Sequence, residues 1–245
     1  MRAILWLAYT GTSYHGWQVQ PNAPTIQAEI QRAAQDLLSQ PVSVCGCSRT
    51  DAGVHANEYC AHIEAERINI PIEKLHDALN VRLPYDIVVK RAQTAPEGFH
   101  ARYSVADKEY VYLIENSPTR NPFTHMRALH YKHPLDAEKM REAAYHLEGE
   151  HDFSAFRALG STDTIPVREV KYIRIIREDA LIKIYICADG FLYNMARIIA
   201  GTLLYAGSGK IDPAGIPAII ESRDRTRAGI TLPPHGLYLN KVNIK

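Results

Sequence analysis

The sequence predicts an α+β fold built from two halves, each with the element order βαββαβ. Two observations carry this prediction. Short apolar or alternating segments, typical of strands, are interleaved with segments of three- and four-residue apolar spacing, typical of helices, and the same order occurs twice along 245 residues. We therefore expect two ferredoxin-like halves, residues 1–104 and 105–245, whose sheets meet at a central cleft that would hold the functional site.

The first half follows the βαββαβ order directly. A nearly continuous apolar segment opens the chain, as in a buried strand, and Thr25 is a good N-cap for a helix that Pro41 ends. The predicted elements of this half are a strand at 2–9, a helix between Thr25 and Pro41, strands at 42–47 and 59–65, a helix starting at Pro71, and a strand at 86–92.

The second half repeats this order without visible sequence repetition. Its helices show the apolar spacing of packed helices, and its strands are rich in Val, Ile and Tyr. The predicted elements are a strand at 109–115, a helix at 136–147, strands at 167–176 and 181–188, a helix at 191–205, a short helix after Pro213, and a last strand at 237–244.

Composition and charge exclude several classes of protein. Apolar residues make up 46% and charged residues 22%, as in soluble globular proteins. Lys and Arg number 28 against 27 Asp and Glu, so net charge alone indicates no polyanionic partner. The longest apolar run, 3–9, is far shorter than the roughly 20 residues that a membrane helix needs, and no signal-peptide cleavage site follows it. We expect a cytoplasmic protein without a membrane partner.

The cysteine content favours free thiols in a reducing compartment. A zinc site that combines some of the cysteines with His55 and His62 is an alternative. However, Cys-x-Cys lacks the two to four intervening residues of a usual structural zinc site, so we expect no metal. The cysteines are Cys45, Cys47, Cys60 and Cys187.

The loop 48–55 carries the first candidate site. Arg49 and Asp51 are close enough to pair, and an adjacent guanidinium keeps a carboxylate ionised and orients it. A structural alternative is an Asx turn, in which Asp51 accepts a backbone N–H and Gly53 adopts a left-handed conformation. His55 is a rival general base, but no Ser or Cys nucleophile is placed for it, and we interpret it as a packing residue.

The second half offers an aromatic strand and an isolated arginine. Alternation places Lys108, Tyr110 and Tyr112 on one strand face, which could stack RNA bases, although tyrosine also favours strands for ordinary packing. Arg197 lies among apolar residues of a predicted helix. It either reaches solvent or is buried with an acidic partner, and a buried arginine would complement the loop of Asp51.

Together these segments resemble the TruA-type tRNA pseudouridine synthases nearly end to end. Seven matches in the same order make the resemblance specific. This chain has Ser48 where the family commonly has Gly, and Ala196 where it commonly has Val; neither change removes a functional group. The matching segments are 9–18, 49–56, 99–102, 108–112, 152–157, 190–197 and 235–239.

The resemblance implies the pseudouridine synthase fold and a homodimeric isomerase that converts uridines 38, 39 and 40 of the tRNA anticodon stem-loop to pseudouridine without a cofactor. It implies that Asp51 is the catalytic carboxylate, that Tyr110 stacks on the target base, and that Arg197 pairs with Asp51. Arg49 would help to displace the nucleotide, and Leu237 would pack beside the base.

The residues themselves leave alternatives open. A carboxylate can start this isomerisation without metal or redox chemistry, but the sequence does not choose among attack on C1′, addition to uracil C6 and removal of the C2′ proton. A noncatalytic RNA-binding module would need only the tyrosine strand. A metal hydrolase would use His55, His62 and the nearby cysteines.

Overall fold

A computed structural model describes residues 1–160 and 164–245 and shows the predicted mixed α+β architecture. The chain forms two compact units, residues 1–106 with 238–245, and residues 107–237. The last strand therefore groups with the first unit. The division into domains at 1–104 and 105–245 stays a prediction.

The helices and strands follow the predicted order with shifted boundaries. The short strands at 129–130 and 149–152 were not predicted, because they are brief and mostly polar. In chain order the elements are β1 (Arg2–Tyr9), α1 (Ile26–Leu38), β2 (Ser43–Gly46), β3 (His55–Glu64), α2 (Leu75–Asn80), β4 (Ile87–Thr94), β5 (Val105–Glu115), β6 (Leu129–His130), α3 (Ala137–Tyr145), β7 (Gly149–Asp152), β8 (Val167–Glu178), β9 (Leu181–Ala188), α4 (Met195–Gly207), α5 (Ile216–Ser222) and β10 (Leu237–Ile244).

Each unit has its own mostly antiparallel set of strands. In the first, β1 pairs with β3 and β4, β2 pairs with the far end of β3, and β10 pairs with β3 in parallel. In the second, β9 lies between β5 and β8, β7 extends the sheet beyond β8, and β6 pairs in parallel with β5. Within the described residues, no helix is both long and apolar enough to cross a membrane.

The helix predicted at 191–205 begins later than expected. Asn194, its N-cap, has a left-handed backbone with φ 61°, so the regular helix starts only at Met195. Tyr193, which the prediction placed within the helix, therefore lies outside it. Apolar spacing could not reveal this start, because the residues before Asn194 are also largely apolar.

An aromatic cluster in the first unit supports the end of β2. Trp17 stacks on Tyr59 with ring centroids 4.1 Å apart, and the Tyr59 hydroxyl donates a hydrogen bond to the Ser48 carbonyl. Gly46 leaves room for both rings, since a Cβ there would lie 2.1 Å from the Tyr59 hydroxyl and 2.6 Å from the Trp17 ring. The cluster thus fixes the chain where it leaves β2 for the loop of Asp51.

The segment 95–104 packs against β3 around a buried histidine. His62 is 3% exposed, and its Nδ1 accepts the Ala101 N–H at 3.1 Å. Arg2 donates to the Phe99 carbonyl nearby. Burial first, and then the charges of Arg2 and His100, lower the pKa of His62 to about 4. The imidazole is therefore neutral in the folded protein at pH 7.

This histidine should make stability pH-dependent. Its pKa is about 4 when folded against 6.5 as the reference value, so the unfolded chain binds a proton first as the pH falls. The contribution is intact above pH 6.5 and is lost towards pH 4. We expect the unfolding free energy to fall by about 3 kcal/mol over that interval because of His62. Urea unfolding of His62→Gln should show a flatter pH dependence than the wild type, and parallel curves would contradict the assignment.

Candidate active site

Asp51 lies half-buried in the loop between β2 and β3. Its carbonyl accepts the Val54 N–H at 3.1 Å, which closes a turn, and Gly53 has the left-handed conformation expected for that turn, with φ 79°. Arg49, two residues earlier, is exposed. The turn fixes the backbone that carries the carboxylate, so a structural role for the loop and a chemical role for Asp51 are compatible.

A second loop, 10–17, holds the loop of Asp51 through backbone hydrogen bonds. The Trp17 N–H donates to the Thr50 carbonyl at 3.1 Å, and the Gly53 N–H donates to the Tyr14 carbonyl at 3.3 Å. Thr50, directly before Asp51, and Gly53, two residues after it, are thus anchored from outside their own loop. No role was predicted for residues 10–17, although their small and turn-forming side chains were the available signal.

His55 also helps to hold the loop 10–17 in place. It is fully buried, and its Nδ1 accepts the Gly11 N–H at 3.0 Å. A ring nitrogen that accepts this bond carries no proton, so the imidazole is held as the neutral Nε2–H tautomer. Its ring also packs against Tyr238, with centroids 4.6 Å apart. This geometry favours packing over the rival role as general base.

Tyr14 ties the supporting loop to the start of β4. Its hydroxyl donates to Asp86 Oδ1 at 2.6 Å, and the Asp86 carbonyl accepts the Thr10 N–H at 2.9 Å. Burial and the hydrogen bond to Asp86 raise the pKa of Tyr14, so this phenol keeps its proton. Tyr14 therefore anchors the loop 10–17 and does not act as a base.

At Gly16 the backbones of the two loops approach closely, and replacing this glycine should damage activity. Its φ is +86°, and a Cβ would lie 2.4 Å from the Thr50 carbonyl oxygen. We expect Gly16→Ala to displace Thr50 and lower turnover by about 100-fold, the scale of an ångström-sized misplacement.

Gly98→Ala is the matched control, because Gly98 also has positive φ, +75°, but a Cβ there meets nothing within 4 Å. It should cost about 1–2 kcal/mol of stability for the backbone alone and leave turnover unchanged. Single-turnover rates and thermal unfolding of both variants measure the difference. Equal turnover in the two variants would contradict a positioning role for the contact between Gly16 and Thr50.

Tyr110 lies on β5 and is 6% exposed. The rings of Tyr110 and Phe191 make an edge-to-face contact, with centroids 4.8 Å apart and planes at 81°. Phe191 was not predicted to matter, and no spacing in the sequence indicates this contact. The neighbouring Tyr112 is fully buried and donates to the Pro233 carbonyl at 2.8 Å, so it serves packing.

Two neutral oxygen atoms outside α4 accept hydrogen bonds from the Arg197 guanidinium. Its Nε donates to the Leu232 carbonyl and its Nη1 donates to Asn194 Oδ1, both at 2.7 Å. The Arg197 side chain is half-buried. It is therefore not fully solvated, and its hydrogen bonds fix the orientation of the guanidinium. The left-handed conformation of Asn194 places its amide to receive this bond. Asn194 and Leu232 are further site residues that sequence reasoning missed.

The chain segment that contains Leu232 crosses α4 at very short range. A Cβ on Gly201 would lie 1.9 Å from the Ile230 carbonyl oxygen. The Gly229 N–H donates to Thr202 Oγ1 at 2.8 Å. The crossing requires glycine at these positions, and it carries the carbonyl of Leu232 to the guanidinium of Arg197.

The predicted site residues are divided between the units. Arg49 and Asp51 belong to the first, and Tyr110, Arg197 and Leu237 to the second. Leu237 is 5% exposed and begins β10. That these residues act on one substrate stays a prediction.

The zinc alternative gains no support from the side chains. The four cysteines, all within the described residues, form no disulfide, and the described ranges contain no group of three or more His, Cys, Asp or Glu residues that could hold a metal ion. His55 and His62 each use Nδ1 to accept a backbone N–H. Both histidines are thereby explained by the fold.

Known proteins with similar sequences identify the family. A family model described as tRNA pseudouridine synthase matches residues 6–104 and 143–243. The chain is 48% identical over 244 residues to tRNA pseudouridine synthase A of Ruminiclostridium cellulolyticum, covering 99% of both chains. It is 48% identical to the proteins of the same name from Thermoanaerobacter sp. strain X514 and Acetivibrio thermocellus, covering 96% of each chain in both pairs. The chain therefore belongs to the tRNA pseudouridine synthase family, whose members are isomerases.

Proposed function

We propose that this protein isomerises uridines 38, 39 and 40 of the tRNA anticodon stem-loop to pseudouridine, with Asp51 as the catalytic carboxylate and without a cofactor. Family membership supports the reaction and the tRNA substrate. The observation that most supports Asp51 is its loop, which is held in place by the Trp17 N–H that donates to the Thr50 carbonyl and by the Tyr14 carbonyl that accepts the Gly53 N–H. A half-buried carboxylate on such a loop is presented to a ligand in a fixed position.

The reaction breaks the bond between uracil N1 and C1′ and forms a bond between C5 and C1′. N1 gains a proton and C5 loses one, so atoms balance without an oxidant or reductant. The Asp51 carboxylate starts the process by adding to C1′, by adding to C6, or by taking the C2′ proton. Each route needs an ionised carboxylate within reach of an extruded nucleotide.

The other proposed residues act on the base and on the carboxylate. Extruding a base costs a few kcal/mol, and stacking on Tyr110, worth about 1–3 kcal/mol, would offset much of that. Arg197 supplies a fixed positive charge to Asp51, Arg49 helps to displace the nucleotide, and Leu237 packs beside the base. Tyr110 is held by Phe191 at its ring, which suits a stacking surface of fixed orientation.

We also propose that each half is ferredoxin-like and that the protein is a cytoplasmic homodimer which binds tRNA across both subunits. The order β4-β1-β3, with β2 on the other side of β3, supports the first of these proposals for the first unit. Sedimentation of the purified protein would test the dimer.

The experiment for the function is to incubate the purified protein with unmodified tRNA transcripts and to map pseudouridine by position. We expect conversion at positions 38 to 40 wherever uridine occurs, and no conversion at a position changed to cytidine. Binding of the transcript without any conversion would favour the noncatalytic RNA-binding alternative. Conversion elsewhere would contradict the assigned positions.

A further inference from the structure

The first unit presents an aromatic side chain on a well-ordered turn away from the loop of Asp51. Tyr103 is 68% exposed. The N–H groups of Tyr103 and Ser104 both donate to the His100 carbonyl, at 3.0 Å and 2.9 Å, and the His100 N–H donates to Ser104 Oγ at 3.1 Å. The exposed ring therefore stands on a turn whose backbone is closed by hydrogen bonds.

One side of the Tyr103 ring is backed by His100. Their centroids lie 4.5 Å apart with planes at 31°. His100 is itself fixed, since its Nδ1 accepts the Arg102 N–H at 3.2 Å and its Nε2 lies 3.7 Å from Cys45 Sγ. Tyr103 stays largely exposed despite this packing, so much of its ring is accessible to a ligand.

Arg102 adds a positive charge over the same ring. It is exposed, and its Cζ lies 5.9 Å from the centroid of Tyr103. Proteins that bind single-stranded nucleic acid combine an aromatic face with a cationic group: the base stacks on the ring, and the phosphate lies near the cation. His100, Arg102 and Tyr103 are called the platform below.

The platform lies far from Asp51 along the sheet. Its support, His62, packs against His100 with centroids 5.2 Å apart, whereas His55 packs under the loop of Asp51. Both histidines belong to β3, and a strand advances about 3.3 Å per residue, so they are separated by about 23 Å. A nucleotide at the platform is therefore not the nucleotide that reacts.

We propose that the platform binds an unpaired base of the tRNA substrate, which stacks on Tyr103 while Arg102 contacts a neighbouring phosphate. This rests on the proposed function only for the identity of the RNA. The platform contributes to affinity and not to the chemical step.

The test measures equilibrium binding of an unmodified tRNA transcript and its turnover by the full-length protein. Tyr103→Ala should weaken binding about 5- to 100-fold, the range of one base stacked on one aromatic ring, and should raise KM with kcat unchanged. Tyr103→Phe should bind like the wild type, because the ring is kept.

Tyr85→Ala is the matched control. Tyr85 is exposed, at 111%, in the same unit, and the described residues give it no aromatic or cation–π partner. It should leave binding unchanged. A second readout is the salt dependence of binding, which Arg102→Gln should make shallower by about one unit of slope in a plot of log affinity against log salt.

The outcomes separate this proposal from the proposed function. Wild-type binding by Tyr103→Ala, or an equal loss in Tyr85→Ala, overturns the platform even if uridines are converted. A wild-type protein that binds tRNA and loses affinity on Tyr103→Ala, but converts no uridine, supports the platform and overturns only the function. Failure of the wild type to bind tRNA overturns both.

Discussion

Asp51→Asn should abolish pseudouridine formation while the fold and tRNA binding are retained. The amide matches the carboxylate in size, and the hydrogen bonds that hold the loop come from backbone atoms of its neighbours Thr50 and Gly53. What is lost is the negative charge and basicity that every proposed route requires. We expect the single-turnover rate to fall by at least about 1,000-fold, a scale typical of a lost catalytic acid or base. Mass spectrometry or position mapping of the tRNA product measures it.

Asp36→Asn is the control for this variant. Asp36 is an exposed carboxylate of the same unit that pairs with Arg32 on α1, and its loss should leave both rate and binding unchanged. If Asp51→Asn formed pseudouridine at the wild-type rate, Asp51 would not be a catalytic residue.

Arg197→Lys should lower turnover although it keeps the charge. The guanidinium reaches the Leu232 carbonyl and Asn194 Oδ1 with separate nitrogen atoms, and an ammonium cannot reproduce that planar fork. The charge would lose its fixed position, and we expect kcat to fall about 100-fold, the scale of one misplaced electrostatic group. A stability loss of about 1–3 kcal/mol should accompany it, because buried acceptors lose their donors.

Arg177→Lys separates the chemical effect from the structural one. Arg177 makes the same kind of contact in the same unit, donating to the Leu135 carbonyl at 2.9 Å and to Asn116 Oδ1 at 3.1 Å. It should lose stability and keep kcat. If the two variants lost kcat equally, Arg197 would be a structural residue only.

The sequence predicted most elements because their signals are local. Thr25 caps α1 by accepting the Ala28 N–H, as its side chain suggested, and the strand predicted at 237–244 has those bounds. The late start of α4 was missed because it depends on the backbone conformation of Asn194. The strand β7 was missed because its pairing with β8, and not its composition, makes it a strand.

The candidate site was predictable to a smaller extent. A carboxylate beside an arginine in a turn-rich loop is visible in the sequence, which is how Asp51 became a candidate. Its supports were not visible, because the contacts of Gly16 and Tyr14 with that loop join backbone atoms far apart in the chain. Asn194 was hidden for a similar reason, since an asparagine before a helix is ordinarily a cap.

Release of the C5 hydrogen in a single turnover tests the catalytic role of Asp51 directly. tRNA labelled with tritium at uracil C5 is mixed with excess wild-type protein or with Asp51→Asn, and released tritium is counted over time. We expect rapid release by the wild type and none above background by the variant, with both proteins binding the tRNA. Release by Asp51→Asn at a rate near that of the wild type would contradict that role.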